Sequence, residues 1–462
     1  MSSIAITHRQ YRQTLIFGLI GIVEELFPEE QLKIQYSLLD GIYCELENSP
    51  LSSREVNQIK KRLHEWIDSK PQIISCKEED GFYHTKVNNK IIKSLYGALQ
   101  PHGPYFPFTL IYYPPGFILL FSKSENPYEL RDYIPPEKLA TTFLESQRWV
   151  ENLHLANVDD INEHIQKGNE VELITLAEAL HEKKISLISD KIYEQSQNIR
   201  IILISGPSSS GKTTFAQRLS TQLRVNGLRP ISLSLDNYFL NREDTPRDQY
   251  GEYDFEALEA LDLPLLNEHV QALIKGEEIV CPIFDFVTGK RKEEGIKMRL
   301  ASDEVLIMEG IHALNPKLLP DQDKAHLFKI YISALFQPNI DPYNRLSTTD
   351  VRLIRRLVRD NMYRGINPDQ TLTQWGSVRR GENNNIFPYQ EEADVMFNSS
   401  LLYELNALKA HAEPLLKSIH QDHPHWDTVD HLLMLLNHFK PMNTSKVPYN
   451  SILREFIGGG IY

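Results

Sequence analysis

The 462-residue chain is long enough for two or three domains, and its 41% hydrophobic and 24% charged residues are typical of a globular protein. A formal charge of −13 argues against a general nucleic-acid binder, because phosphate contacts need clustered Lys and Arg. Three separated cysteines without a CxxC spacing argue against a zinc site and favour a reducing compartment. The apolar run 15–23 is too short to span a bilayer and is followed by Glu24 and Glu25, so we expect a cytoplasmic protein without membrane contact.

The first 150 residues mix helical and extended patterns. Apolar periodicity predicts, in chain order, a helix over 14–27, a short strand near 36–46 and a helix over 52–69. A hairpin is predicted next, from strands at 108–113 and 117–121 joined through Pro114-Pro115-Gly116. These elements together predict an α+β domain.

The rest of the chain alternates strands and helices. A strongly helical pattern over 171–195 predicts a connector. Strands are then predicted at 199–205, 230–235, 304–308, 327–333 and 393–398. Such alternation implies a parallel α/β sheet, followed by helices after Leu401. The predicted domains are 1–150, a connector over 151–195, an α/β domain over 196–400 and its helical extension over 401–462.

The most informative segment is an apolar strand that runs directly into G-x-x-x-x-G-K-T and then into a helix. The phosphate loop consists of Gly206, Pro207, Ser208, Ser209, Ser210, Gly211, Lys212, Thr213 and Thr214. Its glycines let successive N–H groups turn inward toward phosphate oxygens, and the helix N-terminus adds partial positive charge. Lys212 suits the β- and γ-phosphates of ATP and the Thr213 hydroxyl suits Mg²⁺, so the segment predicts nucleotide binding rather than a Ser/Gly-rich linker.

Two carboxylates end neighbouring predicted strands. Asp236 follows the second strand of the α/β region, and Glu309 ends the third. Ligands of open parallel sheets bind beyond the carboxyl ends of the strands, so both acids are expected beside the phosphate loop. Glu309 suits Mg²⁺ coordination, and Asp236 suits removal of a proton from an acceptor hydroxyl. The alternative for each acid is a helix cap.

A basic segment follows at 352–365. Arg352, Arg355, Arg356 and Arg359 recur at helical spacing, which places several guanidinium groups on one helix face. The alternative is a solvated basic helix, but in so acidic a chain we expect these groups to neutralise a transferred phosphoryl group. Gly365 would let the helix end in a lid.

These motifs occur in the order seen in uridine kinases, so residues 196–400 resemble the uridine kinase and phosphoribulokinase group of P-loop kinases. The matching segments are the phosphate loop, Asp236 to Phe239, Phe284 to Val287 with Arg291 to Glu294, Glu309 to Ile311, and the arginine helix. The resemblance implies a P-loop NTPase sheet with flanking helices, ATP and Mg²⁺ as cofactors, and a small-molecule acceptor.

The resemblance also implies roles for individual residues. It makes Asp236 the base, Asp254 a contact of ribose hydroxyls, and Arg356, Arg359 and Arg364 the lid and phosphate arginines. Substrate contacts are expected from Asp236, Tyr238, Tyr253, Asp254, Phe284, Phe286, Arg356 and Gln374. One position departs from the family pattern: Gly289 stands where uridine kinases have a base-contacting histidine, and glycine has no side chain to read a pyrimidine edge.

The N-terminal region resembles the second domain of threonyl-tRNA synthetases in three stretches, 24–28, 38–44 and 56–64. That domain edits mischarged tRNA with an HxxxH pair, whose positions hold Gln13 and Phe17 here. The resemblance therefore implies a synthetase-like fold without editing, and a role as a scaffold or as a cover over the substrate is favoured over tRNA binding.

The function expected from the sequence is an ATP- and Mg²⁺-dependent kinase that phosphorylates a small-molecule hydroxyl, with the 5′-OH of a nucleoside as the favoured hypothesis for the acceptor. Two alternatives stay open: a kinase of a non-nucleoside acceptor, and an ATP-dependent RNA-binding or regulatory protein. The oligomeric state also stays open, with a homo-oligomer as one alternative.

Overall fold

The computed structural model describes residues 3–38, 40–77, 81–87, 90–98, 105–122, 126–130, 132–320, 322 and 324–462. The chain divides into two compact units. The first comprises Met1–Lys167, Gln337–Ser347 and Ile419–Lys440, and the second Gly168–Phe336, Thr348–Ser418 and Pro441–Tyr462. In the part of the chain that is described, no helix has the length and hydropathy of a membrane span.

The first unit contains helices and antiparallel strands. Its elements up to residue 167 are α1 (Ser3–Leu26), β1 (Leu32–Leu38), β2 (Gly41–Leu46), α2 (Ser53–Asp68), β3 (Ile73–Lys77), β4 (Tyr83–Val87), β5 (Lys90–Ser94), β6 (Phe108–Tyr113), β7 (Gly116–Phe121), α3 (Glu137–Asn152) and α4 (Val158–Gln166). One sheet has the order β1-β2-β7-β6 and another the order β3-β4-β5, all antiparallel.

Helix packing in the first unit follows the apolar periodicity. The α2 helix begins at a capping box in which Ser52 and Glu55 satisfy each other's backbone N–H groups, and it buries Val56, Ile59, Leu63 and Ile67 on one face. Gly18 allows α1 to approach this helix closely, because a β-carbon there would lie 2.4 Å from the Trp66 ring.

The helices near 14–27 and 52–69 and the hairpin over 108–121 are confirmed, although α1 starts well before Thr14. The prediction of one strand near 36–46 is wrong. The chain reverses there, so that β1 pairs with β2 and Leu38 lies opposite Gly41. The sheet β3-β4-β5 was not predicted, because its strands are short and rich in lysine rather than regularly alternating.

The second unit carries the α/β pattern. Its elements, with one later helix of the first unit (α11) in chain order, are α5 (Glu170–Glu194), β8 (Ile201–Ser205), α6 (Lys212–Val225), β9 (Arg229–Ser234), α7 (Leu263–Ile274), β10 (Ile279–Cys281), β11 (Phe284–Asp285), β12 (Lys290–Arg291), β13 (Ile296–Met298), β14 (Glu304–Glu309), β15 (Leu327–Ser333), α8 (Thr348–Tyr363), α9 (Pro368–Asn385), β16 (Val395–Asn398), α10 (Glu404–Lys417), α11 (Trp426–Asn437) and α12 (Arg454–Ile457).

A five-stranded parallel sheet with the order β16-β15-β8-β14-β9 confirms the predicted α/β fold. All five predicted strands form, and β8 is buried along its whole length. Because β8 lies in the centre with β14 beside it and β9 next, the ends of these three strands form one edge. That edge carries the phosphate loop, Glu309 and Asp236.

Candidate active site

The phosphate loop joins β8 to α6 and depends on two glycines. Gly206 has no room for a side chain, because a β-carbon would lie 2.3 Å from the Ile332 carbonyl oxygen. Gly211 caps α6 with φ +84°, the left-handed region that favours glycine. Ser209 also lies in this region, at φ +59°, and backbone strain in a non-glycine residue is typical of ligand-binding loops.

Several polar groups of the loop point into its interior. The hydroxyl oxygens of Ser209 and Ser210 are buried, and among the described residues neither has a hydrogen-bond partner. The Lys212 ammonium donates to the Pro207 carbonyl oxygen at 3.2 Å, while the Thr213 side chain is exposed. Buried hydroxyls without partners are costly, so the loop suits a ligand that offers acceptor oxygens.

Glu309 is the centre of a small oxygen-rich cluster at the sheet edge. Its Oε1 accepts from the Ser234 hydroxyl at 2.7 Å and lies 3.5 Å from the Thr213 hydroxyl. Among the described residues, no three or more His, Cys, Asp or Glu side chains group into a metal site. The two oxygens from Thr213 and Glu309 instead fit Mg²⁺, which takes few protein ligands and completes its shell with water and phosphate oxygens.

The charges around Lys212 are closely coupled. Burial, followed by the nearby Asp236 carboxylate, raises the pKa of Glu309 to about 7. Burial lowers the pKa of the Lys212 ammonium, while Glu309 and Asp236 oppose that change. The structure therefore brings together the loop lysine and the two carboxylates that the sequence predicted at strand ends.

Arg352 braces the loop from α8. Its Nε donates to the Ser208 carbonyl oxygen at 2.9 Å, and its Nη2 pairs with Glu382 of α9. Glu382 in turn accepts from the Ser208 N–H at 3.1 Å, so both backbone polar groups of Ser208 are held. Arg352 and Glu382 are almost completely buried, which makes their pairing structural.

Arg355 braces the next residue of the loop in a similar way. It donates to the Ser209 carbonyl oxygen at 3.3 Å and to the Ser399 carbonyl oxygen at 3.0 Å, and it pairs with Glu404 of α10. The expectation that the clustered arginines neutralise a transferred phosphoryl group is therefore wrong for Arg352 and Arg355. Both side chains are buried against loop carbonyls and cannot reach solvent.

The other three arginines converge on one buried carboxylate, Asp360. Arg359 donates to Asp360 at 2.7 Å, Arg356 lies 3.1 Å from it, and Arg364 lies 3.9 Å from it. Burial raises the pKa of Asp360, but the three arginines outweigh it, so the net shift is downward. Arg356 also donates to the Ser208 hydroxyl at 2.8 Å, which places this group beside the phosphate loop.

An aromatic cluster lies next to these arginines. The rings of Phe284 and Phe286 meet edge to face at 5.2 Å, and Phe239 contacts both. The Arg364 guanidinium lies 4.2 Å from the Phe286 ring centre, and it is electrostatically coupled to Asp236. The structure thus brings together two predicted acceptor-pocket aromatics, a predicted lid arginine and the predicted base.

The remaining predicted acceptor contacts lie in different settings. The guanidinium of Arg247 lies over the Tyr253 ring, 4.2 Å from the ring centre. Asp254 is half-buried, and its Oδ1 accepts from the Glu256 N–H at 3.1 Å.

Tyr238 is fully buried, and its hydroxyl lies 2.9 Å from His269, which favours a role in the core over contact with an acceptor. Gln374 is exposed on α9.

Gly289 ends the turn between β11 and β12. It has φ +70°, its carbonyl accepts from the Arg242 N–H at 2.9 Å, and a β-carbon would lie 2.8 Å from the Arg242 Nε. Arg291, on the returning strand, donates to the Tyr238 and Phe239 carbonyl oxygens at 2.7 and 2.9 Å. The left-handed backbone therefore favours glycine at this turn, and a histidine here would be strained.

Sequence reasoning missed Glu256. This side chain is buried against Gly381 of α9 and is electrostatically coupled to Glu382, Arg356 and Lys212. Its Oε2 has no hydrogen-bond partner among the described residues, and burial, followed by Glu382, raises its pKa to about 7. Glu256 lies two residues beyond Asp254, but nothing in the sequence signals that its carboxyl group turns inward.

Residues 201–402 match the model of the phosphoribulokinase/uridine kinase family. A uridine kinase from Deinococcus deserti is 30% identical over 197 residues, which cover 42% of this chain and 86% of that protein. One from Bacillus pumilus is 29% identical, over 42% of this chain and 84% of that protein. A solved D-glycerate 3-kinase from Cryptococcus neoformans is more distant, with 14% identity and a TM-score of 0.24 over 59% of this chain and 88% of that one.

The family match covers the part of the chain that holds the phosphate loop, both strand-end carboxylates and the arginine helix. The expected roles of individual residues remain predictions. The chain belongs to the phosphoribulokinase/uridine kinase family and is an ATP-dependent phosphotransferase that acts on a small-molecule acceptor.

Proposed function

We propose that this protein transfers the γ-phosphoryl group of ATP to the 5′-OH of a nucleoside. The observation that carries the proposal is the grouping of Lys212, Asp236 and Glu309 at one sheet edge, with Arg364 and Phe286 beside them. This arrangement supplies a binding site for the phosphates, a proton acceptor for the acceptor hydroxyl, and an apolar surface on which a planar base could pack. The curated relatives named uridine kinase support a nucleoside acceptor.

In the proposed reaction the acceptor hydroxyl oxygen attacks the γ-phosphorus. A new P–O bond forms while the bond from the γ-phosphorus to the bridging oxygen breaks, which leaves ADP. Asp236 takes the hydroxyl proton, since it is the carboxylate coupled to both Lys212 and Arg364. The loop N–H groups and Lys212 hold the β- and γ-phosphates, and Arg356, Arg359 and Arg364 offset the charge on the transferred group.

Thr213 and Glu309 would hold the metal ion, with Ser234 orienting the Glu309 carboxylate. When bound, Mg²⁺ supplies charge neutralisation for the phosphate oxygens. Glu309 must be ionised for this role. Because burial raises its pKa to about 7, the metal site should weaken as the pH falls below that value.

A second candidate is a kinase of a non-nucleoside hydroxyl compound. Gly289 favours it, because the turn there offers no side chain for a pyrimidine edge and places the Arg242 guanidinium close by instead. A site without a base-reading group has lost one polar contact that would reject other acceptors.

A product screen separates these functions. The purified full chain is incubated with ATP and Mg²⁺ and with panels of nucleosides, sugar phosphates, pantothenate and tRNA, and products are detected by mass spectrometry. A phosphorylated nucleoside supports the proposal, while further phosphorylation of a sugar phosphate, or phosphorylation of pantothenate, supports the second candidate. ATP hydrolysis stimulated by tRNA without any phosphorylated small molecule would overturn both.

We propose a scaffold role for the N-terminal region. At the two positions that correspond to the synthetase histidines, Phe17 is buried in the core and Gln13 is half-buried. Neither side chain can act as a histidine does in acid–base chemistry. Hydrolysis of mischarged tRNA by the full chain would contradict this proposal.

A further inference from the structure

The C-terminal segment, Ser451–Gly458, packs directly on the phosphate loop. Ile452 closes over Gly211, since a β-carbon at the glycine would lie 2.5 Å from the Ile452 Cγ2. The guanidinium of Arg355 lies over the Phe456 ring, 4.9 Å from the centre of that ring. Ile452, Leu453 and Phe456 are fully buried, so the segment is anchored through apolar contacts rather than lying loosely on the surface.

The segment delivers one carboxylate to the start of α6. Glu455 accepts from the Thr214 hydroxyl at 3.0 Å and from the Thr214 N–H at 3.4 Å. Thr214 is the third residue of α6, so its N–H has no partner within the helix and belongs to the donors that a phosphate loop offers to phosphate oxygens. A protein carboxylate thus occupies donors that a nucleotide would use.

The charges around Lys212 also indicate that Glu455 and a nucleotide compete for this place. The Lys212 ammonium is coupled to three carboxylates, those of Glu309, Asp236 and Glu455. Glu309 and Asp236 have roles in the proposed reaction, whereas Glu455 has none. A bound triphosphate would add several negative charges at the same point, and like charges in a partly buried site repel strongly.

We propose that Glu455 is an internal competitor of the nucleotide phosphates, and that ATP binding displaces it from Thr214. The C-terminal segment then acts as an autoinhibitory strap, because the nucleotide must break the contacts of Glu455 before the phosphate loop is fully available. This inference rests on the proposed binding of ATP at the loop. It requires no chemical step.

The test is equilibrium binding of a non-hydrolysable ATP analogue with Mg²⁺ to the full chain. Glu455→Gln keeps the shape and removes the charge, so the analogue should bind about tenfold more tightly than to the wild type. Glu455→Asp keeps the charge on a side chain one methylene shorter and should fall between the two. Glu413→Gln is the matched control, because Glu413 is a partly exposed acid that pairs with Lys417 within α10. This variant should bind the analogue with the affinity of the wild type.

A second readout follows the strap itself. Hydrogen exchange of the backbone at 453–457 in the wild type should become faster when the analogue binds. Unchanged or weaker binding by Glu455→Gln, or slower exchange of this segment, would show that Glu455 is a fixed cap or a nucleotide contact and would overturn the inference. If neither wild type nor variant binds the analogue, the proposed ATP site itself fails and the inference falls with it.

Discussion

Ser234 and Glu309 lie opposite each other in the parallel register of β9 and β14, and the Ser234 hydroxyl donates to Glu309 at 2.7 Å. The pairing is a consequence of sheet register, since both residues end their strands at the same edge. It orients the Glu309 carboxylate toward Thr213, and it lowers the pKa of Glu309 against the larger upward effect of burial.

Replacing Ser234 with alanine should weaken the metal site. Loss of the donor raises the pKa of Glu309 further, so the acid limb of the activity profile moves to higher pH. Loss of an orienting partner typically lowers metal affinity by about 10–100-fold. The Mg²⁺ activation constant and the pH profile measure both effects. Ser232→Ala, an exposed position on the same strand, is the control, and an unchanged Mg²⁺ requirement in Ser234→Ala would contradict the assignment.

Replacing Asp236 with asparagine should reduce turnover by about 10²–10⁴-fold, because the amide cannot accept the proton of the acceptor hydroxyl. Binding of ATP should persist, since the phosphate loop is intact. Single-turnover phosphoryl transfer to the acceptor found in the screen gives the rate. Asp244→Asn, on an exposed turn nearby, should be as active as the wild type. If Asp236→Asn turned over at the wild-type rate, Asp236 would not be the base and another residue would have to accept the proton.

Replacing Glu256 with glutamine should change how stability depends on pH. Burial, followed by Glu382, raises the pKa of Glu256 from 4.5 to about 7, so the folded state holds a proton that the unfolded state has released between these values. Wild-type stability is therefore complete below the unfolded pKa and is lost as the pH rises through the folded one.

The glutamine side chain does not ionise, so the variant should not lose stability as the pH rises. Its thermal midpoint should match the wild type near pH 4 and exceed it near pH 8, by the equivalent of about 3 kcal/mol. Glu259→Gln, an exposed acid in the same loop, should follow the wild type at both pH values. Equal midpoints for wild type and Glu256→Gln at high pH would mean that the carboxyl group is not desolvated as described.

Replacing Gly289 with alanine should destabilise the second unit by about 1–2 kcal/mol, because the backbone is left-handed there. Gly376→Ala is the control. Gly376 lies inside α9 with space around it, where alanine is favoured by about 0.5–1 kcal/mol. Thermal unfolding compares the two, and a neutral Gly289→Ala would show that the turn can accept a side chain, including the histidine of uridine kinases.

Local patterns were enough to predict much of this fold. The five parallel strands, the phosphate loop between β8 and α6, and the hairpin of β6 and β7 all rest on apolar runs and turn residues that are close together in the sequence. The hairpin of β1 and β2 was predicted as one strand because Leu38 and Gly41, where the chain reverses, are so close in the sequence. The strands β3 to β5 were missed because apolar and polar residues alternate only weakly along them. Asp236 and Glu309 could be predicted because strand ends of a parallel sheet share an edge.

The sequence by itself determined the nucleotide loop, the class of fold and the position of two carboxylates, because each depends on short-range periodicity or on a motif with a fixed backbone geometry. Only the tertiary structure decided that Arg352 and Arg355 hold loop carbonyls while Arg356 and Arg364 surround Asp360. Likewise, only packing brought Glu256 and Glu455 to the loop. Their roles depend on contacts between segments far apart in the chain, and helical spacing shows that arginines share a helix without showing which partner each one meets.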